Sequence, residues 1–254
     1  MSATDAGPPA RFAEVDGRRI AYLRRRGAGP GVVWLPGFKS DMRSGKAEAV
    51  AAWAARNGRA MLRFDYSGHG ESGGRFEDGT IGAWLDDAVA MIRAETSGPQ
   101  ILVGSSMGGW LALLAARALA GGAPLAGMVL IAPAVDFTQA LMWERMPAEA
   151  RAAIERDGVW LRQSAYALDP YPITRALIEE GRGHLLLGGA IRTHCPVHII
   201  QGMQDEDVPW THAMMLVEHL AGDPVVISLV KDGDHRLARD EDIQRLLGAV
   251  EGLS

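Results

Sequence analysis

The 254-residue chain contains one cysteine, Cys195, so no disulfide can form within it and a reducing compartment suits it. Cys195 directly precedes Pro196 at the head of an apolar run, the setting of a small buried hydrophobe rather than a nucleophile. Net charge is −5 and no basic block occurs, which argues against a nucleic-acid partner. No apolar run is long enough to span a bilayer: the most apolar stretch, Trp110 to Ala120, is short and interrupted by Arg117. Met1 to Ala10 is small, polar and proline-bearing, without the basic-then-apolar order of a signal peptide or the arginine-rich pattern of a transit peptide. Internal repeats and long low-complexity segments are also missing. These absences lead to the expectation of a soluble, cytoplasmic protein. With 48% hydrophobic residues the chain can bury one large core, as one domain with an insertion.

What stands out is one hexapeptide, Gly104-Ser105-Ser106-Met107-Gly108-Gly109. The apolar run Ile101-Leu102-Val103 precedes it and an alanine- and leucine-rich stretch follows. This reads as a buried strand, a very tight turn and a helix, with Ser106 at the apex of a G-x-S-x-G elbow. The glycines permit a strained turn and close backbone approach. Ser106 then sits at a helix N-terminus, where free N–H groups and the positive dipole end suit a developing oxyanion. A merely packed glycine turn is the alternative reading.

The rest of the chain alternates strands and helices. Phe12–Val15 and Arg19–Leu23 flank Asp16-Gly17, a hairpin signal. Apolar strands follow at 31–35, 60–64, 101–103, 128–131, 197–200 and 225–230. Helices are expected over 45–57, 81–95, 110–120, 209–220 and 240–251. Near-continuous apolar strands in such alternation indicate a mostly parallel, eight-stranded sheet covered by helices on both faces, with the first two strands antiparallel. The alternation breaks at 136–193, which holds short helix-like pieces, Pro147, Pro170 and Pro172, and the large side chains Leu141, Met142, Trp143, Met146, Trp160, Tyr166 and Tyr171. We therefore divide the chain into a core, 1–135 and 194–254, and an inserted helical cap, 136–193. Ligands of open α/β sheets bind beyond the C-terminal strand ends, where all the candidate residues lie.

A serine hydroxyl needs a base, and the base needs an orienting acid. Among seven histidines, His235 follows the last strand in Lys231-Asp232-Gly233-Asp234-His235, over the sheet edge near Ser106. His69 reads as a structural turn residue, His184 and His194 flank the end of the cap, His198 lies in a strand, and His212 and His219 are expected on the exposed side of a helix. For the acid, Asp205 and Asp207 compete in the loop after residues 197–200. Asp205 is preferred, being nearer the strand end, while Asp207 is placed to cap the helix that begins near Pro209. Asp136 is a third choice. The order Ser106, Asp205, His235 is that of a serine–acid–histidine triad. The two oxyanion donors are expected from the N–H groups of Met107 and of Phe38, in Leu35-Pro36-Gly37-Phe38.

These residues resemble the α/β-hydrolase superfamily, and more closely its branch of mitochondrial palmitoyl-protein thioesterases and acyl-glucuronide esterases. The resemblance runs through nearly the whole chain after about residue 30. It is most specific at 35–38, at Arg63-Phe64-Asp65-Tyr66-Ser67-Gly68 and at 98–110, with Gly158-Val159-Trp160, Gly202-Met203 and Asp234-His235-Arg236 adding to it. It implies the same triad, hydrolysis of acyl esters and thioesters, a small-molecule or acyl-thioester substrate, and no cofactor or metal. The lack of a targeting pattern suggests a bacterial relative. The apolar cap suggests an apolar acyl group, with Trp143 and Trp160 as candidate lining residues. A small-molecule binding protein on a hydrolase fold, or a hydrolase of peptide or C–C bonds, remains the alternative.

Overall fold

The computed structural model describes residues 7–122, 124–163 and 170–254; Met1–Ala6, and Tyr166 of the segment expected to form a cap, lie outside the described residues. The main sheet contains β1 (Arg11–Val15), β2 (Arg18–Arg25), β3 (Ala28–Leu35), β4 (Arg59–Phe64), β5 (Gln100–Ser105), β6 (Leu125–Ile131), β9 (Val197–Gly202) and β10 (Val225–Val230). A further pair, β7 (Val159–Arg162) and β8 (Tyr171–Thr174), lies between β6 and β9. Helices are α1 (Gly45–Arg56), α2 (Ile81–Glu95), α3 (Met107–Ala118), α4 (Ala148–Asp157), α5 (Arg175–Gly181), α6 (Trp210–His219) and α7 (Asp240–Glu251).

The expected eight-stranded, mostly parallel sheet is present, in the order β1-β2-β4-β3-β5-β6-β9-β10. β1 pairs antiparallel with β2 and β2 with β4, while the remaining pairs are parallel. The β1–β2 turn is tight because Asp16 and Gly17 both take positive φ, 46° and 77°. Side-chain alternation sends Val33, Leu35, Leu102 and Leu130 to one core cluster with α2, α3 and α6. The alternate residues Val32, Trp34, Ile101, Val103 and Val129 join α1 and α7 on the other face. The central strands β3, β5 and β6 therefore bury both faces toward their C-terminal ends, which is why they read as uninterrupted apolar runs, whereas edge strand β10 leaves Val226 and Leu229 exposed. Helix α2 starts where Thr80 Oγ1 accepts the Ala83 N–H at 3.2 Å, and α4 ends at Gly158 with φ 79°. Among the described residues no helix is long and apolar enough to cross a membrane.

The stretch between β6 and β9 contains α4, α5, short turns of irregular helix and the antiparallel β7–β8 pair, so it is less purely helical than expected. Val159, Trp160, Tyr171 and Ile173 carry the β preference, but strands of four residues are too short to show a period. His212 also departs from expectation. It is buried on α6, with Nε2 2.8 Å from the Val135 carbonyl, because that helix packs its His212 face on the backbone following β6.

His69 is buried as well, and burial lowers its imidazole from 6.5 to about 4. In the unfolded chain the ring titrates near 6.5, so the unfolded state binds more protons between the two values and stability falls as pH drops through that window. The site should cost about 2–3 kcal/mol between pH 7 and 4.5. Urea titrations across this range should show the decline, and His69→Gln should flatten it by a comparable amount.

Candidate active site

Ser106 joins β5 directly to α3 with φ 55° and ψ −117°, a strained backbone for a residue carrying a side chain. The two motif glycines explain why the turn can close. A Cβ on Gly104 would lie 2.2 Å from the Gly108 carbonyl oxygen, and one on Gly108 only 2.0 Å from that of Leu35. The Ser106 N–H donates to Ile131 O at 2.8 Å, tying the elbow to β6.

The loops that follow β9 and β10 meet above this elbow. A Cβ on Gly202 would sit 2.4 Å from the Gly233 oxygen, so the two chains can interleave only with glycine there. Asp205, at the first loop, is fully desolvated in its side chain and compensated by hydrogen bonds: Oδ1 accepts the N–H groups of Asp207 (2.9 Å) and Val208 (2.8 Å). Its Oδ2 lies 3.2 Å from Gln201 Nε2 and 2.8 Å from His235 Nδ1. His235 Nε2 lies 3.2 Å from Ser106 Oγ. A carboxylate only accepts, so the ring proton belongs on Nδ1 and Nε2 faces the serine hydroxyl as acceptor. The structure thus brings Ser106, His235 and Asp205 into one hydrogen-bonded run. The His235 loop is further held by Lys46 of α1, whose ammonium donates to the Arg236 carbonyl; burial, and then the Arg236 charge, lower that lysine to about 8.

The other acid candidates have different partners. Asp136 is buried, with its carboxylate accepting the Leu186 and Leu187 N–H groups at 2.8 and 2.9 Å; burial raises its pKa. Asp207 does not cap α6, whose N-cap is Pro209. Its carboxylate instead lies 3.5 Å from Arg162 on β7. Asp205, Asp207 and His235 approach one another closely enough to hold a cation, but that would take the ring nitrogen that now donates to Asp205.

The expected second oxyanion donor, Phe38, directly follows Gly37, which lies against the elbow. A Cβ on the adjoining Gly37 would be 3.2 Å from Ser105 O and 3.4 Å from Ser106 Cβ. Among the described residues, neither the Phe38 nor the Met107 N–H donates a hydrogen bond outside regular structure. The Phe38 ring enters an aromatic cluster, edge-on to Phe76 (4.9 Å), Phe137 (5.6 Å), Tyr171 (5.6 Å) and Trp84 (5.9 Å). Sequence reasoning missed this cluster, because its members are scattered from position 38 to 171 and only folding assembles them. Trp160 sits on β7 opposite Ile173, partly buried against the main core. Trp143 lies under the guanidinium groups of Arg151 and Arg182, at 5.8 and 5.4 Å, and lines a groove of about 100 Å³ that includes none of Ser106, Asp205 and His235.

Comparison with known proteins gives consistent matches. The family described as serine aminopeptidase S33 matches residues 31–176. The bovine (Bos taurus) palmitoyl-protein thioesterase ABHD10, mitochondrial, is 38% identical over 237 residues, covering 92% of this chain and 76% of that protein. A putative hydrolase from Agrobacterium vitis S4 superposes with a TM-score of 0.92 at 45% identity, over 97% of this chain and 99% of that one. Mouse α/β-hydrolase domain-containing protein 10 gives 0.87 at 34% identity, over 97% and 98%.

The geometry separates the two loop acids experimentally. Asp205→Asn should lower kcat on an acyl ester by about 10³–10⁴-fold, since an amide disrupts the required ring tautomer. Asp207→Asn should cost less than about tenfold. Comparable losses from both would move the orienting role away from Asp205.

Proposed function

Because the chain belongs to the serine aminopeptidase S33 family, a group of serine hydrolases on the α/β-hydrolase fold, we propose that it cleaves acyl esters and thioesters through an acyl-enzyme on Ser106. The observation that carries this reading is the hydrogen-bonded run Ser106–His235–Asp205 on a strained elbow. His235 Nε2 takes the Ser106 hydroxyl proton as Oγ attacks the acyl carbon. The resulting oxyanion lies between the N–H groups of Phe38 and Met107. His235 then returns the proton to the departing alcohol or thiol. Water enters by the same route, giving a proton to His235 as its hydroxyl adds to the acyl carbon; the Oγ–acyl bond then breaks, Ser106 Oγ takes that proton back from His235, and a carboxylic acid leaves.

Support for an acyl rather than a peptide substrate comes from the ABHD10 relatives, which match across most of this chain and are named as thioesterases. Those relatives are also named as mitochondrial. We place this chain in the cytoplasm, where its lone buried thiol stays reduced. We further assign residues 136–193 as the cap over a core of 1–135 and 194–254. Ion pairing of Arg162 with Asp207 and the ring contact of Tyr171 with Phe38 support its seat at the site. The acyl chain is assigned to the Trp160 side of the cap. Trp143, whose groove contains no triad residue, is the weaker lining candidate.

Fluorophosphonate labelling should mark the wild-type protein and leave Ser106→Ala unlabelled yet folded, with hydrolysis lost; hydrolysis persisting in Ser106→Ala would refute the acyl-enzyme. A panel of esters, thioesters and aminoacyl amides of graded chain length then separates acyl from peptide cleavage. In that panel Trp160→Ala should lower kcat/KM selectively for long chains, by up to about 0.8 kcal/mol for each methylene that loses its contact. A parallel drop at every length would make Trp160 a packing residue.

A further inference from the structure

The loop that presents the Phe38 N–H depends on its neighbour, Lys39, which adopts φ 61°. That left-handed backbone is disfavoured for a residue with a Cβ, so something outside the loop must hold it. The Lys39 N–H donates to His69 Nε2 at 3.3 Å. His69 Nδ1 lies 3.3 Å from the Ser67 carbonyl oxygen, which can only accept. The ring proton is therefore on Nδ1, and the bare Nε2 is free to receive the backbone donor. The ring is 4% exposed and enclosed edge-on by Trp84, Phe76 and Tyr66 at 5.0, 5.1 and 5.7 Å. Burial keeps it neutral, near a pKa of about 4, so the acceptor nitrogen stays available at neutral pH. A second tie runs beside it. The Asp65 carboxylate accepts the Met42 N–H at 2.6 Å from the loop and the Glu71 N–H at 2.8 Å from the turn that carries His69.

We propose that His69 is a positioning residue for the oxyanion hole: by accepting the Lys39 N–H it fixes the peptide unit after Phe38, and through it the direction in which the Phe38 N–H points beside Ser106. The ring does not touch the substrate. It holds the donor where charge develops, with no reorganisation needed as the reaction proceeds.

The inference rests on the acyl-transfer reading above, and the test keeps the two apart. Steady-state kinetics on a short acyl ester are compared for wild type, His69→Ala and His69→Gln, with Ser106→Ala as blank and circular dichroism for folding. His69→Ala should lose about tenfold to a hundredfold in kcat with KM within about twofold, since a misplaced donor is felt in the transition state. It should bind an alkyl boronic acid more weakly by a similar factor. His69→Gln, whose amide oxygen can accept the same N–H, should recover part of kcat. A folded His69→Ala that keeps kcat and loses only thermal stability overturns the proposal. Should His69→Ala not fold, ¹⁵N NMR of the wild-type histidines decides it: a protonated Nδ1 with a bare Nε2 is required, and the opposite tautomer overturns it. Absence of Ser106-dependent hydrolysis in wild type would refute the acyl-transfer reading instead, which that NMR experiment does not depend on.

Discussion

The contact on which the site depends is backbone against backbone: Gly108 on the Leu35 carbonyl and Gly104 on the Gly108 carbonyl, with separations that leave no room for a Cβ at either position. This contact draws β3, β5 and α3 closer together than side-chain packing would allow. It leaves Ser106 at the one position where the chain can reverse, in a backbone conformation that costs energy. The cost is sustained because α3 is buried from Met107 through Ala116 and the central strands are fully desolvated on both faces. Hydrophobic burial thus holds a local strain in place and aims a hydroxyl at the sheet's C-terminal edge.

Around that fixed point the polar groups arrive on loops, each compensated before it could act. Asp205 is stripped of water, and two backbone N–H groups, Gln201 and His235 replace its hydration. A carboxylate buried without them would take up a proton and lose its hold on the imidazole. Interleaving at Gly202 and Gly233 brings the Asp205 and His235 loops together, and Lys46 anchors the second from the opposite helix.

The stretch between β6 and β9 is tied to the rest of the molecule by polar as well as apolar contacts. Glu180 of α5 accepts the Gly82 N–H at the start of α2, where the helix dipole favours a carboxylate. Asp136 accepts two backbone donors from Leu186 and Leu187, closing the far end of the stretch on its beginning. Arg162 reaches Asp207, and Tyr171 meets the Phe38 ring. Residues of this stretch therefore touch both the loop that carries Asp205 and Asp207 and the loop that carries Phe38, so a shift of β7 and β8 would be felt at both.

Much of the fold was legible in the chain because strands buried on both faces must be continuously apolar, and because glycines at tight turns leave a spacing that can be counted. The elbow, the strand–helix alternation and the order Ser106, Asp205, His235 follow from such local signals. Other features were not legible. The four-residue strands β7 and β8 are too short to display a period, and Pro172 argues against one. His212 looks like any histidine of an amphipathic helix until α6 docks on the Val135 carbonyl. Asp207 resembles a helix cap until Arg162 arrives from more than forty residues earlier in the chain. The Phe38 cluster and the His69–Lys39 hydrogen bond join segments that share no pattern in sequence. Sequence alone determined what neighbouring residues can enforce on one another: period, turn and order. Tertiary structure decided which polar groups lose their water and which partners replace it, because desolvation depends on what packs against a group from elsewhere in the chain.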